Sequence, residues 1–106
     1  MKNYRRRIMD ILLEKKLQAK GAVLIEGPKW CGKTTTAEEI ATSKIMLAKP
    51  DIKEHFKSLL EIDTDAALAG ETPMLIDEWQ TVPKLWDAVR YTVDHRHAMG
   101  QFILTG

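Results

Sequence analysis

The chain has 106 residues, a net charge of +1, and 29% charged against 44% hydrophobic residues, which bounds it to one core of modest size without a global bias toward nucleic acid or acidic partners. Its one cysteine, Cys31, excludes an intrachain disulfide and a cysteine-based zinc site. No apolar stretch approaches the roughly 20 residues needed to span a bilayer, and the basic start lacks the apolar centre of a signal peptide.

The first expected element is a helix from about Tyr4 to Ala19, within the opening 1–20 segment, carrying Tyr4, Ile8, Ile11 and Leu12 at helical spacing. Gly21 suits its C-terminal cap. Ala22-Val23-Leu24-Ile25 is a short apolar run rich in branched residues, as expected of a strand covered on both faces in a parallel sheet. Next comes Gly27-Pro28-Lys29-Trp30-Cys31-Gly32-Lys33-Thr34, which matches the phosphate-binding pattern G-x-x-x-x-G-K-S/T at every position. A helix over Thr35 to Ala41 should follow, with Ala37, Ile40 and Ala41 on one face and Glu38-Glu39 in its early turns.

Each loop position has a chemical reason. Gly27 and Gly32 let the backbone approach a pyrophosphate without a Cβ in the way. Amides from about Trp30 to Thr34 can converge as an anion nest, helped by the positive end of the following helix, and the binding segment runs on through Thr35. Pro28 has no amide to contribute and stiffens the entry. Lys33 is expected on the β- and γ-phosphates, with Lys29 a weaker phosphate candidate, and the Thr34 hydroxyl is the expected Mg²⁺ ligand. Cys31 fits the loop by its small size, and Trp30 reads as a loop side chain able to stack on nucleotide.

Further along, Ile45-Met46-Leu47-Ala48 is expected as a second strand ended by Pro50-Asp51. Ile52, Phe56 and Leu59/Leu60 place a helix over about Asp51 to Leu60, and a shorter helix is expected from Thr64 to Ala69, ahead of Gly70. The spacing Glu61-x-Asp63-x-Asp65 lacks the glycine and terminal glutamate of a calcium loop and reads as a helix start. Met74-Leu75-Ile76-Asp77-Glu78 is an apolar strand ending in two adjacent acids. Asp77 is placed to hold Mg²⁺ through its water shell, and Glu78 to orient an attacking water toward a γ-phosphate.

A helix is then expected from Thr81 or Val82, with Pro83 in its first turn and Leu85, Trp86, Val89 and Val93 as its buried stripe. Arg90 and Arg96 read as solvated. Histidines two apart in Asp94-His95-Arg96-His97 do not share a helix face and make a poor metal site. Arg5-Arg6-Arg7 reads as a solvated basic face, so nucleic acid is unsupported. After Gly100, Phe102-Ile103-Leu104-Thr105 forms a last strand with a polar tip, Thr105.

Four stretches carry a family likeness: Gly21 through Thr36, Leu75-Ile76-Asp77-Glu78-Trp79-Gln80, Leu85-Trp86-Asp87-Ala88-Val89-Arg90, and Gln101-Phe102-Ile103-Leu104-Thr105-Gly106. Together they resemble prokaryotic predicted ATPases of the AAA+ superfamily, whose ATPase domain precedes a C-terminal domain of unknown function. The resemblance implies an α/β P-loop NTPase fold of the additional-strand type, a three-layer sandwich with a mainly parallel sheet in which the Thr105 strand lies between the P-loop strand and the Asp77 strand. It also implies ATP and Mg²⁺ as ligands, and Thr105, at the tip of the inserted strand, as the candidate for contact with the γ-phosphate or the lytic water; the cytoplasm, where ATP is abundant, is the expected location. Residues 1–106 are then a partial ATPase domain, ending where the family continues into another strand and a helical lid. On that reading an arginine finger must come from elsewhere, by self-association or from the missing C-terminal region. Slow turnover is expected, with a nucleotide-binding interaction module as the alternative and a small-molecule phosphotransferase as a remoter one.

Overall fold

The computed structural model describes the backbone of residues 2–25 and 33–106, and the side chains of residues 11–25 and 37–106. The elements in chain order are α1 (Lys2–Ala19), β1 (Ala22–Ile25), α2 (Lys33–Ile40), β2 (Ser43–Met46), α3 (Pro50–Ile62), α4 (Thr64–Ala67), β3 (Met74–Asp77), a 3-10 turn (Trp79–Thr81), α5 (Leu85–Arg96) and β4 (Phe102–Thr105).

The four strands form one parallel sheet in the order β1-β4-β3-β2, so the last strand of the chain is inserted between the first and the third. This is the expected α/β architecture, with the Thr105 strand beside both the β1 and the Asp77 strands. Parallel strands need crossovers, and helices fill that role on both faces. Because side chains alternate along a strand, each face gathers its own core. On one face Val23, Leu75 and Ile103 pack with Leu13 and Leu17 of α1 and Ala37 of α2. On the other, Met74, Ile76, Phe102 and Leu104 pack with Phe56 and Leu60 of α3, Leu68, and Leu85 and Val89 of α5. The result is three layers.

Several local expectations need correction. In α1, Ile11 and Leu12 are about half exposed, whereas Leu13 and Leu17, four apart, are buried against β1 and α2. Among the described residues it is this side of the helix that meets the sheet; the side chains of Tyr4 and Ile8 lie outside the described residues. Gly21 is not a left-handed cap, since Gly100 is the one glycine with positive φ among the described residues. Its role is spatial: a Cβ there would overlap Val93 Cγ1 and lie 3.2 Å from the Ala98 carbonyl oxygen. Gly21 thereby lets β1 start flush against the α5–β4 connection, where its own carbonyl accepts from Gln101 N at 2.8 Å and Phe102 N at 3.1 Å.

Helix α2 begins two residues before the expected Thr35, so Glu38 and Glu39 fall in its second half rather than its early turns. Strand β2 runs over Ser43–Met46 instead of Ile45 to Ala48, because Leu47 turns away to bury itself in the α3 side of the core, its amide still donating to the Asp77 carbonyl. Asp63 caps α4, its Oδ1 accepting from Ala66 N at 3.2 Å, in keeping with a helix start rather than a metal loop; α4 itself stops at Ala67, before Leu68 is buried.

The region after β3 differs most. Pro83 is not inside α5: a separate 3-10 turn intervenes, with Val82 N donating to Trp79 O and Leu85 N to Val82 O, and α5 starts at Leu85. Trp86 is 39% exposed, its ring 5.4 Å from that of Trp79, and Thr92 takes the buried place the helix stripe left for it. Arg96 is half-buried rather than solvated. Its guanidinium donates to Gln101 Oε1 at 3.1 Å and to the Leu68 carbonyl at 2.8 Å, and lies 5.5 Å from the centre of the Phe102 ring. Arg90 is exposed on α5, as expected.

Candidate functional site

The carboxyl ends of the strands form the candidate site, and the sheet register says which residues meet there. One row across the sheet reads Ile25, Thr105, Asp77, Met46. Ile25 and Met46 belong to the core on the α1 and α2 side, so alternation places the Thr105 and Asp77 side chains on that same face. Helix α2 packs across β3 and β4 on that face, with Ala37 in its core.

Two expected site residues are in direct contact. Thr105, fully buried, donates its hydroxyl to Asp77 Oδ1 at 2.5 Å. A hydroxyl on an ionised carboxylate at this distance is a charge-assisted bond, stronger than a neutral pair. It fixes the Asp77 carboxylate while leaving it partly accessible at the strand tip. Thr105, expected from sequence to face nucleotide or water, thus has a carboxylate partner in its own sheet.

Glu78 leaves the strand abruptly. Its backbone is left-handed, with φ 58° and ψ 41°, a conformation costing roughly 1–2 kcal/mol for a residue with a Cβ. The following turn holds it there: the Glu78 carbonyl accepts from Thr81 Oγ1 at 2.8 Å and from Thr81 N at 3.1 Å. In a continued strand, Asp77 and Glu78 would face opposite sides of the sheet; the left-handed turn ends that alternation. The Glu78 side chain accepts from Gln80 Nε2 at 3.0 Å. Beside it lies a cavity of about 350 Å³ bordered by Glu78 and Thr81 and by Leu47, Pro50 and Lys53. A larger cleft of about 730 Å³ lies between α3 and α5, around Leu60, Ala88 and Tyr91, and touches neither acid.

The loop residues Gly27, Pro28, Lys29, Trp30, Cys31 and Gly32 lie outside the described residues, as do the side chains of Lys33, Thr34 and Thr35, whose backbone opens α2. The structure therefore brings together Asp77, Thr105 and Glu78 from two adjacent strand ends, and places the neighbouring strand end, Ile25, immediately before the loop. A divalent ion held through water fits the donor set, because Asp77 offers a partly exposed carboxylate already oriented by Thr105. Among the described residues no group of three or more histidine, cysteine or acidic side chains is arranged to hold a metal ion.

Gln80 is the site residue that sequence reasoning passed over. Its place in Asp77-Glu78-Trp79-Gln80 was visible, yet nothing in an i, i+2 spacing says that the two side chains meet. That follows only from the left-handed turn at Glu78. No helix among the described residues is long and apolar enough to cross a membrane.

Searches of curated proteins and of solved structures returned no match. A family model described as an AAA domain matches residues 19–106, a span that takes in all four strands and both acids. The chain therefore belongs to the AAA domain family, a family of nucleotide-binding α/β domains.

Proposed function

We propose that this domain binds ATP together with Mg²⁺ and hydrolyses it slowly. The observation that carries the reading is the Thr105 to Asp77 bond, set at adjacent strand ends on the face that α2 covers. Open α/β sheets bind ligands at the carboxyl ends of their strands, and here one such end leads straight into Gly27 to Thr34. In this reading the amides of the Gly27 to Thr35 segment, apart from Pro28, cradle the phosphates, and Lys33 carries the compensating charge on the β- and γ-phosphates. Lys29 adds charge at the loop's rim. Thr34 is the direct magnesium ligand and Asp77 the water-mediated one; the ion, when bound, neutralises charge on the β- and γ-phosphate oxygens.

Glu78 orients the attacking water by accepting a hydrogen bond from it. The water oxygen forms a bond to the γ-phosphorus while the bond to the β,γ-bridging oxygen breaks, and the proton leaves by way of Glu78 to solvent. Thr105 keeps Asp77 in place, and a γ-phosphate that also draws on its hydroxyl shares it with that carboxylate.

The charge of the transition state still needs a cation, and the chain's arginines on α5 support slow turnover. Arg96 is committed to Gln101, the Leu68 carbonyl and Phe102, and Arg90 stands exposed on the helix. An arginine supplied by a partner is worth about 10³ to 10⁵ in turnover, so the isolated domain should fall well below about one turnover per second. ATP binding with and without Mg²⁺, followed by phosphate release, tests the proposal. Lys33→Ala should abolish binding, and Glu78→Gln should bind but release phosphate much more slowly. ATP binding that survives Lys33→Ala would overturn the assignment of the site.

A further inference from the structure

Hydrolysis by a single carboxylate requires that the carboxylate be held, and Glu78 has three side-chain torsions beyond its fixed backbone. We infer that Gln80 is a positioning residue that fixes the Glu78 side chain and couples it to the end of β4; this rests on the hydrolytic reading of Glu78 above. The carboxamide of Gln80 donates to Glu78 Oε2 at 3.0 Å, which sets the orientation of the carboxylate. Gln80 is itself exposed, so something else must restrict it.

That restriction comes from Gly106, the residue after Thr105. A Cβ built on Gly106 would overlap Gln80 Oε1 and lie 2.8 Å from its Cδ, so the carboxamide occupies the space a side chain at 106 would fill. Gly106 does not have a positive φ, and its lack of a side chain matters here for room alone. The end of β4 thus reaches both acids: Asp77 through the Thr105 hydroxyl, and Glu78 through Gln80 packed on Gly106. A shift at the tip of β4 is felt at both carboxylates together. Thr81 completes the arrangement by holding the Glu78 carbonyl, while Gln80 holds an oxygen of its carboxylate.

The test uses wild type, Gln80→Ala, Gln80→Glu, Gly106→Ala and Glu78→Gln, with the Kd for Mg-ATP, the single-turnover hydrolysis rate and the Tm measured on each. Gln80→Ala should slow hydrolysis about five- to twentyfold, the range for an exposed hydrogen bond to a charged group, with Kd within about twofold of wild type. Gln80→Glu keeps the shape, loses the donor and adds a like charge, and should be slower still. Gly106→Ala should slow hydrolysis in the same direction, because its methyl displaces the carboxamide. In the Glu78→Gln background, Gln80→Ala should cause no further slowing, a non-additivity that general destabilisation does not produce. A Gln80→Ala rate equal to wild type while Glu78→Gln is slow overturns the role of Gln80 alone. Losses of rate, affinity and Tm in step across the Gln80 variants overturn it too, as they mark a structural residue. Turnover unaffected by Glu78→Gln overturns the hydrolytic reading and this inference with it.

Discussion

Replacing Thr105 by valine removes one hydroxyl and little else, because the two side chains share a shape and the site is fully buried. The lost bond is the 2.5 Å contact with Asp77 Oδ1, and a hydrogen bond to a charged group contributes about 1.5–3 kcal/mol. Asp77 is only half-buried, so water can replace part of what it loses, and the added methyl returns up to about 0.8 kcal/mol of burial. The net cost to stability is then about 1 kcal/mol, or a fall of roughly 4–8 °C in Tm for a domain of this size. The larger consequence is for the ion, since an Asp77 carboxylate free to rotate no longer presents a fixed acceptor to magnesium-bound water. The gain in ATP affinity on adding Mg²⁺ should shrink about five- to tenfold, with magnesium-free affinity unchanged. Calorimetric titration of ATP with and without Mg²⁺ measures both numbers, and Thr105→Ser, which keeps the hydroxyl, should stay near wild type. If the valine variant keeps the full magnesium effect, or if serine is as damaging as valine, the hydroxyl is not what orients Asp77.

Two further outcomes separate scaffold from site. Gly21→Ala should cost about 1–3 kcal/mol in urea unfolding, since its methyl meets Val93 at the start of β1; an unchanged midpoint would show that the junction can relax around it. Arg96→Met should lower stability by about 1–2 kcal/mol through the lost bonds to Leu68 and Gln101, while leaving the Kd for nucleotide alone. A weakened Kd without a stability change would move Arg96 from the scaffold into the site.

What was legible in the sequence is what has a short-range cause. Apolar runs over Ala22 to Ile25, Met74 to Glu78 and Phe102 to Thr105 define strands because burial on both faces leaves no polar alternation; the first and last fall where the runs placed them, and the middle one stops a residue early, at Asp77, where Glu78 turns left-handed. The insertion of β4 between β1 and β3 came instead from family likeness, as nothing local to residues 101–106 specifies a neighbour. Failures cluster where a long-range contact overrides a local pattern. The α1 stripe was misplaced because Leu13 and Leu17, rather than Ile11 and Leu12, meet the sheet. Arg96 reads as solvated by its charge, yet its helical phase sets it beside Thr92 and Val89 on the buried face of α5, where the Leu68 carbonyl and Phe102, both distant in sequence, take its guanidinium. In the site, Asp77 and Glu78 could be picked out by their position after an apolar run. Gln80 could not, since its contact depends on a left-handed glutamate that no propensity favours.

On the proposed reading, the register also accounts for how this chain order suits two acids with different tasks. Neighbouring strands are about 4.8 Å apart, so with β4 between them the exit of β1 and the Asp77 tip stand about 10 Å apart. That gap suits a carboxylate that reaches its ion through water, and is too wide for one that must touch what the loop holds. If β3 lay directly beside β1, Asp77 would crowd the phosphates with a like charge, and no intervening hydroxyl would orient it. Inserting β4 supplies both the spacing and, through Thr105, the donor. The left-handed turn at Glu78 then frees the second acid from the row, held by Gln80 and bordering the open cavity while Asp77 stays in the sheet. A substitution that forces extended backbone at Glu78 should therefore impair turnover while sparing magnesium-dependent binding, because only the second acid depends on that turn.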